Sequence, residues 1–340
     1  MNNKTKKNII SNMIKWIIIL IALVIVYIWK KEEIHEAFAE MKSFRFYILL
    51  FCFLATALHF CVEGLIISSM TMYEKRKMTW WEGTRCGLFC AFYKMISLGS
   101  LSGIAEIYYI SKHDIEPGRA SGIVLVQYVY QKLAITILGI LSFLGLCIAG
   151  IDSVLDFVKW GILGSIVALL IVSILTLVST SKKLADLAAF LIRKTIGRKF
   201  AKKADSFIKQ IYEFNEAGLY FWEHKSLCIK VTLLIILKMS LWYSITAIII
   251  CASHSTNLIL GIALMAFSNM IGTVMIAPAG VGTLEFITSL LIAPLFGNTA
   301  ATVVILYRFF TMVVPFLAGA VVFALDKKEE NIEEKEEIAD

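Results

Sequence analysis

Long apolar runs separated by short polar segments make up most of this chain. A helix needs about 20 apolar residues, at 1.5 Å per residue, to cross the hydrocarbon core of a bilayer. Six runs meet or approach that length and are predicted to be membrane-spanning helices: 14–29, 47–70, 121–149, 157–178, 229–251 and 301–325. The pattern therefore predicts an all-α polytopic membrane protein.

Composition supports this class of protein. The chain is 59% hydrophobic and 17% charged, with a mean hydropathy of +0.77. The core of a 340-residue soluble domain could not hide so much apolar surface. The run 14–29 has no small-residue cleavage site, so we expect it to remain as the first helix. The seven cysteines form no CxxC pair and the histidines do not cluster, so neither a metal nor another cofactor is indicated.

Basic residues orient the predicted spans. Lys4, Lys6 and Lys7 precede the first run, and the connection 181–230 carries eleven Lys and Arg against five acidic residues. The positive-inside rule places both segments in the cytoplasm, with the C-terminus. Within this connection, 181–228 shows helical apolar spacing, which predicts one or two amphipathic helices on anionic inner-leaflet lipid; a solvated loop is the alternative. Residues 1–326 thus form one transmembrane domain, and 327–340 an acidic, disordered tail.

Two further apolar runs do not fit as simple spans. The charge pattern places both ends of 86–110 in the cytoplasm, so we predict a re-entrant hairpin with its tip at 99–103. In 258–296, Pro278, Gly280 and Gly282 precede Glu285, and only about 22 Å of helix remains before the next turn, less than a bilayer's ~30 Å. This favours a second re-entrant hairpin, entered from outside. The alternative is a cytoplasmic turn with Glu285 at the water surface.

Several predicted spans carry polar side chains that favour a protein interior or a cavity. His59 and Glu63 are four residues apart, on one helical face, and either pair beside a cavity or lie near a polar seam. Gln127 and Gln131 share a face in the same way, and Lys238 lies within an otherwise apolar run. Polar residues so placed usually face other helices. We treat Glu63, Gln131 and Lys238 as secondary candidates for a binding site.

A short repeat links the two predicted hairpins. Gly103 and Glu106 match Gly282 and Glu285 as a Gly-x-x-Glu sequence that opens the returning helix. Because the hairpins enter from opposite sides, the match is typical of inverted repeats whose broken helices meet near the midplane. The helix N-termini favour an anionic group such as a lipid phosphate, and the glutamates either cap these helices or bind a cation on the substrate. Arg308, inside the last span, calls for an acidic partner or an anionic ligand.

The segment from Pro278 to Glu285, the Gly103-x-x-Glu106 sequence and Arg308 together resemble the flippase-like transmembrane family of lysylphosphatidylglycerol synthases, the membrane half of the multiple peptide resistance factors. The resemblance covers about 7–325. It implies a bacterial inner-membrane protein that moves an aminoacylated phosphatidylglycerol to the outer leaflet, where it repels cationic antimicrobial peptides. Relatives that synthesise the lipid carry a cytoplasmic acyltransferase domain, and no residues remain for one after Leu325. We therefore expect no aminoacyltransferase activity from this chain alone.

The sequence thus favours a lipid flippase or translocase that acts on a membrane phospholipid, with no nucleic-acid partner; self-association into a homo-oligomer stays open. We expect Arg308 and backbone amides to meet the phosphate, and Glu106 or Glu285 to meet an amino group, at a site completed by Gly103, Pro278, Gly280 and Gly282. The alternatives are a membrane-embedded enzyme that acts on a lipid head group and a scaffold that docks through 181–230. The chain has no GxxxxGK[ST] loop, so uphill transport would need an ion gradient or a partner.

Overall fold

The structure is a computed structural model and describes residues 39, 42, 44–72, 74, 76–97, 99, 101–155, 157–195, 201–274 and 282–339. This part of the chain is folded into helices and contains no strand. In chain order the helices are α1 (Phe46–Met70), α2 (Trp80–Ile96), α3 (Ser102–Ser111), α4 (Pro117–Ile148), α5 (Asp152–Leu155), α6 (Val158–Thr180), α7 (Lys182–Thr195), α8 (Ala201–Glu223), α9 (Lys225–Ser253), α10 (Leu258–Val274), α11 (Thr283–Phe296), α12 (Thr299–Arg308), a π-helical turn (Phe309–Val313) and α13 (Val314–Ala339).

Within this part of the chain, five helical stretches are long and apolar enough to cross a membrane. They are α1, α4, α6, α9 and the continuous stretch Thr299–Asp326 that contains α12, the π turn and the start of α13. They coincide with the predicted spans from 47–70 onward, so the prediction of an all-α polytopic membrane protein is confirmed. The first predicted span, 14–29, lies outside the described residues.

The helix pair α2–α3 occupies the place of the first predicted hairpin. The two helices pack against each other, and the chain breaks between Ile96 and Ser102, where the tip was predicted. Helix α2 begins earlier than predicted because Thr79 caps it. The Glu82 backbone N–H donates to Thr79 Oγ1 at 3.3 Å, and the Thr79 N–H donates to Glu82 Oε2 at 2.7 Å. Re-entry of this pair from one side of a membrane stays a prediction.

The pair α10–α11 occupies the place of the second predicted hairpin, and its helices also pack together. Helix α11 has 14 residues, as short as the sequence indicated. Gly282 precedes it with a φ of +87°, a conformation that favours glycine. The Gly282 N–H donates to Glu285 Oε2 at 2.8 Å, so Glu285 caps its own helix. Pro278 and Gly280 lie outside the described residues.

Helices α7 and α8 form the segment that was predicted to be amphipathic. One set of apolar side chains is exposed: Leu187, Phe190, Leu191, Phe207 and Trp222. Another set is buried where α8 packs on α4 and α6: Ala204, Phe214, Ala217 and Phe221. Both helices are therefore amphipathic, and contact with the inner leaflet stays a prediction. At the other end of the chain, α13 continues to Ala339, so the backbone over 327–339 is helical where the sequence predicted a disordered tail.

Helix α9 lies at the centre of the bundle and packs against α1, α4 and α10. Helix α1 also crosses α2, and the two backbones come very close at two glycines, Gly64 and Gly83. A Cβ placed on Gly64 would lie 2.5 Å from the Trp80 carbonyl oxygen, and one on Gly83 would lie 2.6 Å from the Gly64 carbonyl oxygen. Small residues allow such backbone contact between helices in a membrane protein. The contact fixes α2 beside the polar face of α1.

The π turn between α12 and α13 has an identifiable cause. The Val314 N–H reaches back five residues to the Phe309 carbonyl, and the next donor in that pattern is absent because residue 315 is a proline. Thr56 Oγ1 of α1 instead lies 3.1 Å from the Phe310 carbonyl oxygen and 3.0 Å from the Cys52 carbonyl oxygen of its own helix, so the two carbonyls share its one proton. The turn places Thr311 and Met312 at the central cavity described next.

Candidate functional site

A polar cavity of about 330 Å³ lies between the helices, bounded by α1, α2, α3, α4, α9 and the π turn. Its wall carries two carboxylates and two ammonium groups, together with a histidine, two glutamines and a tryptophan. The side chains that carry the argument below are His59, Glu63, Lys94, Glu106, Gln127, Gln131, Lys238 and Trp242. Charged groups are costly among apolar helices and mark functional positions there.

An ion pair between Glu63 and Lys238 forms one wall of the cavity. Lys238 Nζ lies 2.7 Å from Glu63 Oε2, and the lysine is only 3% exposed. Gln127 Nε2 donates to the other oxygen, Glu63 Oε1, at 3.2 Å. Both oxygens of this carboxylate are therefore satisfied by residues of other helices, α9 and α4. The carboxylate is held in place by protein groups before any ligand binds.

His59 and Trp242 form a stacked aromatic pair beside this ion pair. Their ring centroids lie 3.8 Å apart with an interplanar angle of 3°. His59 Nδ1 lies 3.0 Å from the Lys238 carbonyl oxygen and therefore donates to it as Nδ1–H. The pair connects α1 to α9 and fixes the position of the indole at the cavity wall.

Lys94 of α2 brings the second ammonium group to the cavity. Its Nζ lies 5.6 Å from the centroid of the Trp242 ring, within the range of a cation–π contact. Among the described residues, no carboxylate oxygen lies within 4.0 Å of this ammonium group, whereas Lys238 and Arg308 each have one. Lys94 is thus the cation of this site that has no carboxylate partner.

The start of α3 contributes Ser102, Gly103 and Glu106 to the cavity. A Cβ on Gly103 would meet no atom within 4 Å, so the chain approaches open space there. Glu106 Oε1 is buried and has no hydrogen-bond partner. The same holds for Gln127 Oε1 and Trp242 Nε1, which belong to two other residues that line the cavity. Buried polar atoms without partners are rare in proteins, and each calls for an explanation.

Glu285 and Arg308 form a second ion pair, close to the cavity but not in its wall. Arg308 Nε lies 2.5 Å from Glu285 Oε1, and both side chains line a smaller cleft between α11 and α12. Arg308 Nη1 also contacts the sulfur of Met312 at 3.3 Å. Because Met312 lines the central cavity, one side chain separates the second ion pair from it.

The structure brings together most of the residues that the sequence singled out. Gly103, Glu106, Glu63, Gln131 and Lys238 all line the cavity. Gly282, Glu285 and Arg308 gather at the adjacent cleft and helix start. Glu63 forms an ion pair with Lys238 and not with His59. Both His59 and Glu63 line the cavity. The binding roles of these residues stay predictions.

Sequence reasoning missed Lys94 and Trp242 as site residues and did not select Gln127. Lys94 lies within the run that was interpreted as a hairpin, and a lysine in such a run was a signal that could have identified it. No comparable signal marks Trp242, because its role depends on which helix faces it. In the part of the chain that the structure describes, no group of three or more His, Cys, Asp or Glu residues is placed to hold a metal ion.

Comparison with known proteins shows the family. A family model of the lysylphosphatidylglycerol synthase TM region matches residues 13–319, and the chain belongs to this family. The match covers four of the five described spans and both helix pairs in full, and the fifth span, Thr299–Asp326, as far as residue 319. A comparison with curated protein sequences finds no match. The family and the apolar helices together establish a multi-pass membrane protein with a role related to membrane lipid.

Proposed function

We propose that this protein is a lipid flippase that moves an aminoacyl-phospholipid or a related anionic lipid between the leaflets of the bacterial inner membrane. The observation that carries the proposal is the cavity itself, where charged side chains and three unpartnered polar atoms gather among apolar helices. Leaving such groups buried costs free energy that a polar head group would recover. The family is consistent with a lipid as the ligand.

In the proposed cycle the head group enters the cavity while the acyl chains stay in the bilayer. Glu106, with its unpartnered oxygen, is the acceptor for an amino group of the lipid. Arg308 and Glu285 are bound to each other in the state described here, so they would meet the head group only after this pair separates. Movement of the pairs α2–α3 and α10–α11 against the other helices would then open the cavity to one leaflet and afterwards to the other.

The proposal extends to anionic lipid of the inner leaflet as a second partner, along 181–230. The exposed apolar side chains of α7 and α8 would insert at the level of the head groups. The lysines of the same segment would attract the phosphates. This partner serves to orient the protein and is distinct from the lipid in the cavity.

A leaflet-resolved assay tests the main proposal. The full chain is reconstituted into vesicles that contain a fluorescent phospholipid, and the arrival of this lipid in the other leaflet is followed by quenching from outside. We expect transfer well above that of protein-free vesicles, and at least tenfold slower transfer for Glu106→Gln. Lys112→Met is the control. Lys112 follows the last residue of α3, the helix that carries Glu106, and lies over the Tyr108 ring at 5.0 Å, outside the cavity wall.

Transfer no faster than in protein-free vesicles would refute the flippase proposal. Mass spectrometry of lipid recovered from the same vesicles then separates the other two functions. A chemically altered head group would indicate a membrane-embedded enzyme. Unaltered lipid with no transfer would leave the scaffold that docks through 181–230.

A further inference from the structure

The unpartnered polar groups of the cavity form two sets, donors from α2 and α9 and acceptors from α3 and α4. Lys94 and Trp242 are donors, and they lie together, with Nζ 5.6 Å from the centroid of the indole. Trp242 Nε1 is buried without an acceptor, and no carboxylate among the described residues pairs with the ammonium group of Lys94. A donor pair of this kind is suited to an oxyanion such as a phosphate.

The unpartnered acceptors come from α3 and α4. Glu106 Oε1 and Gln127 Oε1 are both buried without a donor, and Gln127 is 4% exposed. Gln127 cannot turn its amide to solve this, because its Nε2 already donates to Glu63. The two oxygens are therefore free to accept N–H groups of a ligand.

The charges of the cavity wall restrict the net charge of the ligand. The cavity wall carries Glu63 and Glu106 against Lys94 and Lys238, so its formal charge is zero. Lys238 is neutralised by Glu63 at 2.7 Å, and Arg308 by Glu285. This leaves one carboxylate, Glu106, and one ammonium group, Lys94, for the ligand. A ligand with a net charge would leave an uncompensated charge in a site surrounded by apolar helices.

We infer that the cavity binds a zwitterionic head group that carries one phosphate and one primary ammonium, with the phosphate at Lys94 and Trp242 and the ammonium at Glu106 and Gln127. The inference rests on the proposed function for the statement that the ligand is a lipid, and it replaces an anionic head group with a zwitterionic one. It also assigns the phosphate to Lys94, a residue that neither the sequence motifs nor the family description identifies.

The acceptor pair should also discriminate between ammonium groups. A primary ammonium donates three N–H groups and can satisfy both oxygens, whereas a quaternary ammonium has the same charge and no N–H to donate. A site with buried acceptors rejects a ligand that leaves them unpaired, because the desolvation of those atoms is then uncompensated. Ethanolamine-type and choline-type phospholipids carry the same charge at the nitrogen and differ in its N–H groups and in the three methyl groups of choline, so loss of the preference in Glu106→Gln separates the hydrogen bonds from size.

The experiment is equilibrium binding of short-chain dioctanoyl lipids to the purified full chain in detergent, measured by native mass spectrometry. The probes are dioctanoyl phosphatidylethanolamine, phosphatidylcholine and phosphatidylglycerol. We expect the ethanolamine lipid to bind at least tenfold more tightly than either of the others, as one or two charge-assisted hydrogen bonds imply. The choline lipid tests the N–H requirement, and the glycerol lipid tests the charge balance.

Variants separate the two halves of the site. Lys94→Met should weaken all three lipids by about tenfold or more, because each carries the phosphate. Glu106→Gln should weaken the ethanolamine lipid alone and so reduce its preference over the choline lipid. Lys112→Met should change neither quantity. Unfolding temperatures measured on the same samples confirm that each variant is folded.

Each outcome decides one claim. Equal affinity for the ethanolamine and choline lipids, tighter binding of the glycerol lipid, or wild-type binding by a folded Lys94→Met protein would overturn the inference. If one of these results is found and the protein still transfers lipid rapidly between leaflets, the inference is wrong and the flippase proposal is unaffected. An absence of both binding and transfer would remove the two together.

Discussion

At the scale of single residues, the Glu63–Lys238 pair contributes to stability as a unit. The lysine is 3% exposed and the carboxylate has both oxygens occupied. Either single variant, Glu63→Gln or Lys238→Met, leaves one charge without its partner, and we expect each to cost about 3 kcal/mol of unfolding free energy. The double variant removes both charges and should recover more than half of that loss.

Thermal unfolding of the detergent-solubilised protein, compared across the four members of this double-mutant cycle, measures the coupling between the two residues. Additive losses would show that Glu63 and Lys238 do not interact in the folded protein. The cycle must be run on stability rather than transport, because both residues line the cavity.

The Glu285–Arg308 pair allows a second prediction, about transport. Arg308→Ala and Glu285→Gln should each slow leaflet transfer by about tenfold or more, because each removes one member of the ion pair beside the cavity. Glu285→Gln keeps an oxygen that can accept from the Gly282 N–H, so this variant should remain folded. Wild-type transfer rates in both folded variants would refute a role for this pair in transport.

At the scale of elements, the π turn depends on one hydroxyl group. Pro315 cannot donate to the Phe310 carbonyl, and Thr56 Oγ1 supplies a donor at 3.1 Å that this carbonyl shares with the Cys52 carbonyl at 3.0 Å. Thr56→Val keeps the shape of the side chain and removes the donor, which leaves a buried carbonyl unsatisfied. We expect a loss of about 1–3 kcal/mol in stability.

The control for this variant is Thr56→Ser, which retains the hydroxyl and should lose much less stability. If the valine and serine variants unfold at the same temperature, the hydrogen bond from Thr56 does not support the turn. A parallel loss of lipid transfer in Thr56→Val alone is expected, since Thr311 and Met312 of this turn line the cavity.

The crossing of α1 and α2 gives a further test at this scale. Gly83→Ala would place a methyl group 2.6 Å from the Gly64 carbonyl oxygen, a backbone atom that cannot move aside cheaply. We expect a loss of about 1–3 kcal/mol from overpacking. The control is Gly145→Ala in α4, where an added Cβ meets no atom within 4 Å, and its unfolding temperature should not fall.

The sequence was sufficient for the elements and for part of the site. Apolar run lengths predicted the described spans, and glycine, proline and the short remaining run predicted the end of α2 near Gly99 and the start of α11 after Gly282. Helical periodicity reports which residues share a face of one helix, but not which faces of different helices meet. Glu63 and Lys238 are 175 residues apart, so their pairing depends on the packing of α1 against α9. The contact between Lys94 and Trp242 depends in the same way on how α2 packs.

At the scale of the whole molecule, a set of ion pairs apart from Glu63–Lys238 and Glu285–Arg308 links several elements at one end of the bundle. Arg119 pairs with Glu74 and Glu216, and Arg85 pairs with Asp326, linking α2, α4, α8, α13 and the segment after α1. This is the end that the positive-inside rule assigns to the cytoplasm, and α7 and α8 lie beside it. The opposite end includes the turn at Gly150 and the exposed Asp152 of α5.

This asymmetry predicts the orientation of the protein, which labelling of single cysteines measures. Asp152→Cys should react with a membrane-impermeant maleimide added to intact spheroplasts. Lys209→Cys, at a side chain that is 78% exposed on α8, should react only after the membrane is opened. The unsubstituted protein, whose native cysteines are buried or partly buried, gives the background. Labelling of Lys209→Cys in intact spheroplasts would show the opposite orientation, with α7 and α8 at the outer leaflet. The lysines of these helices could then not bind anionic lipid of the inner leaflet.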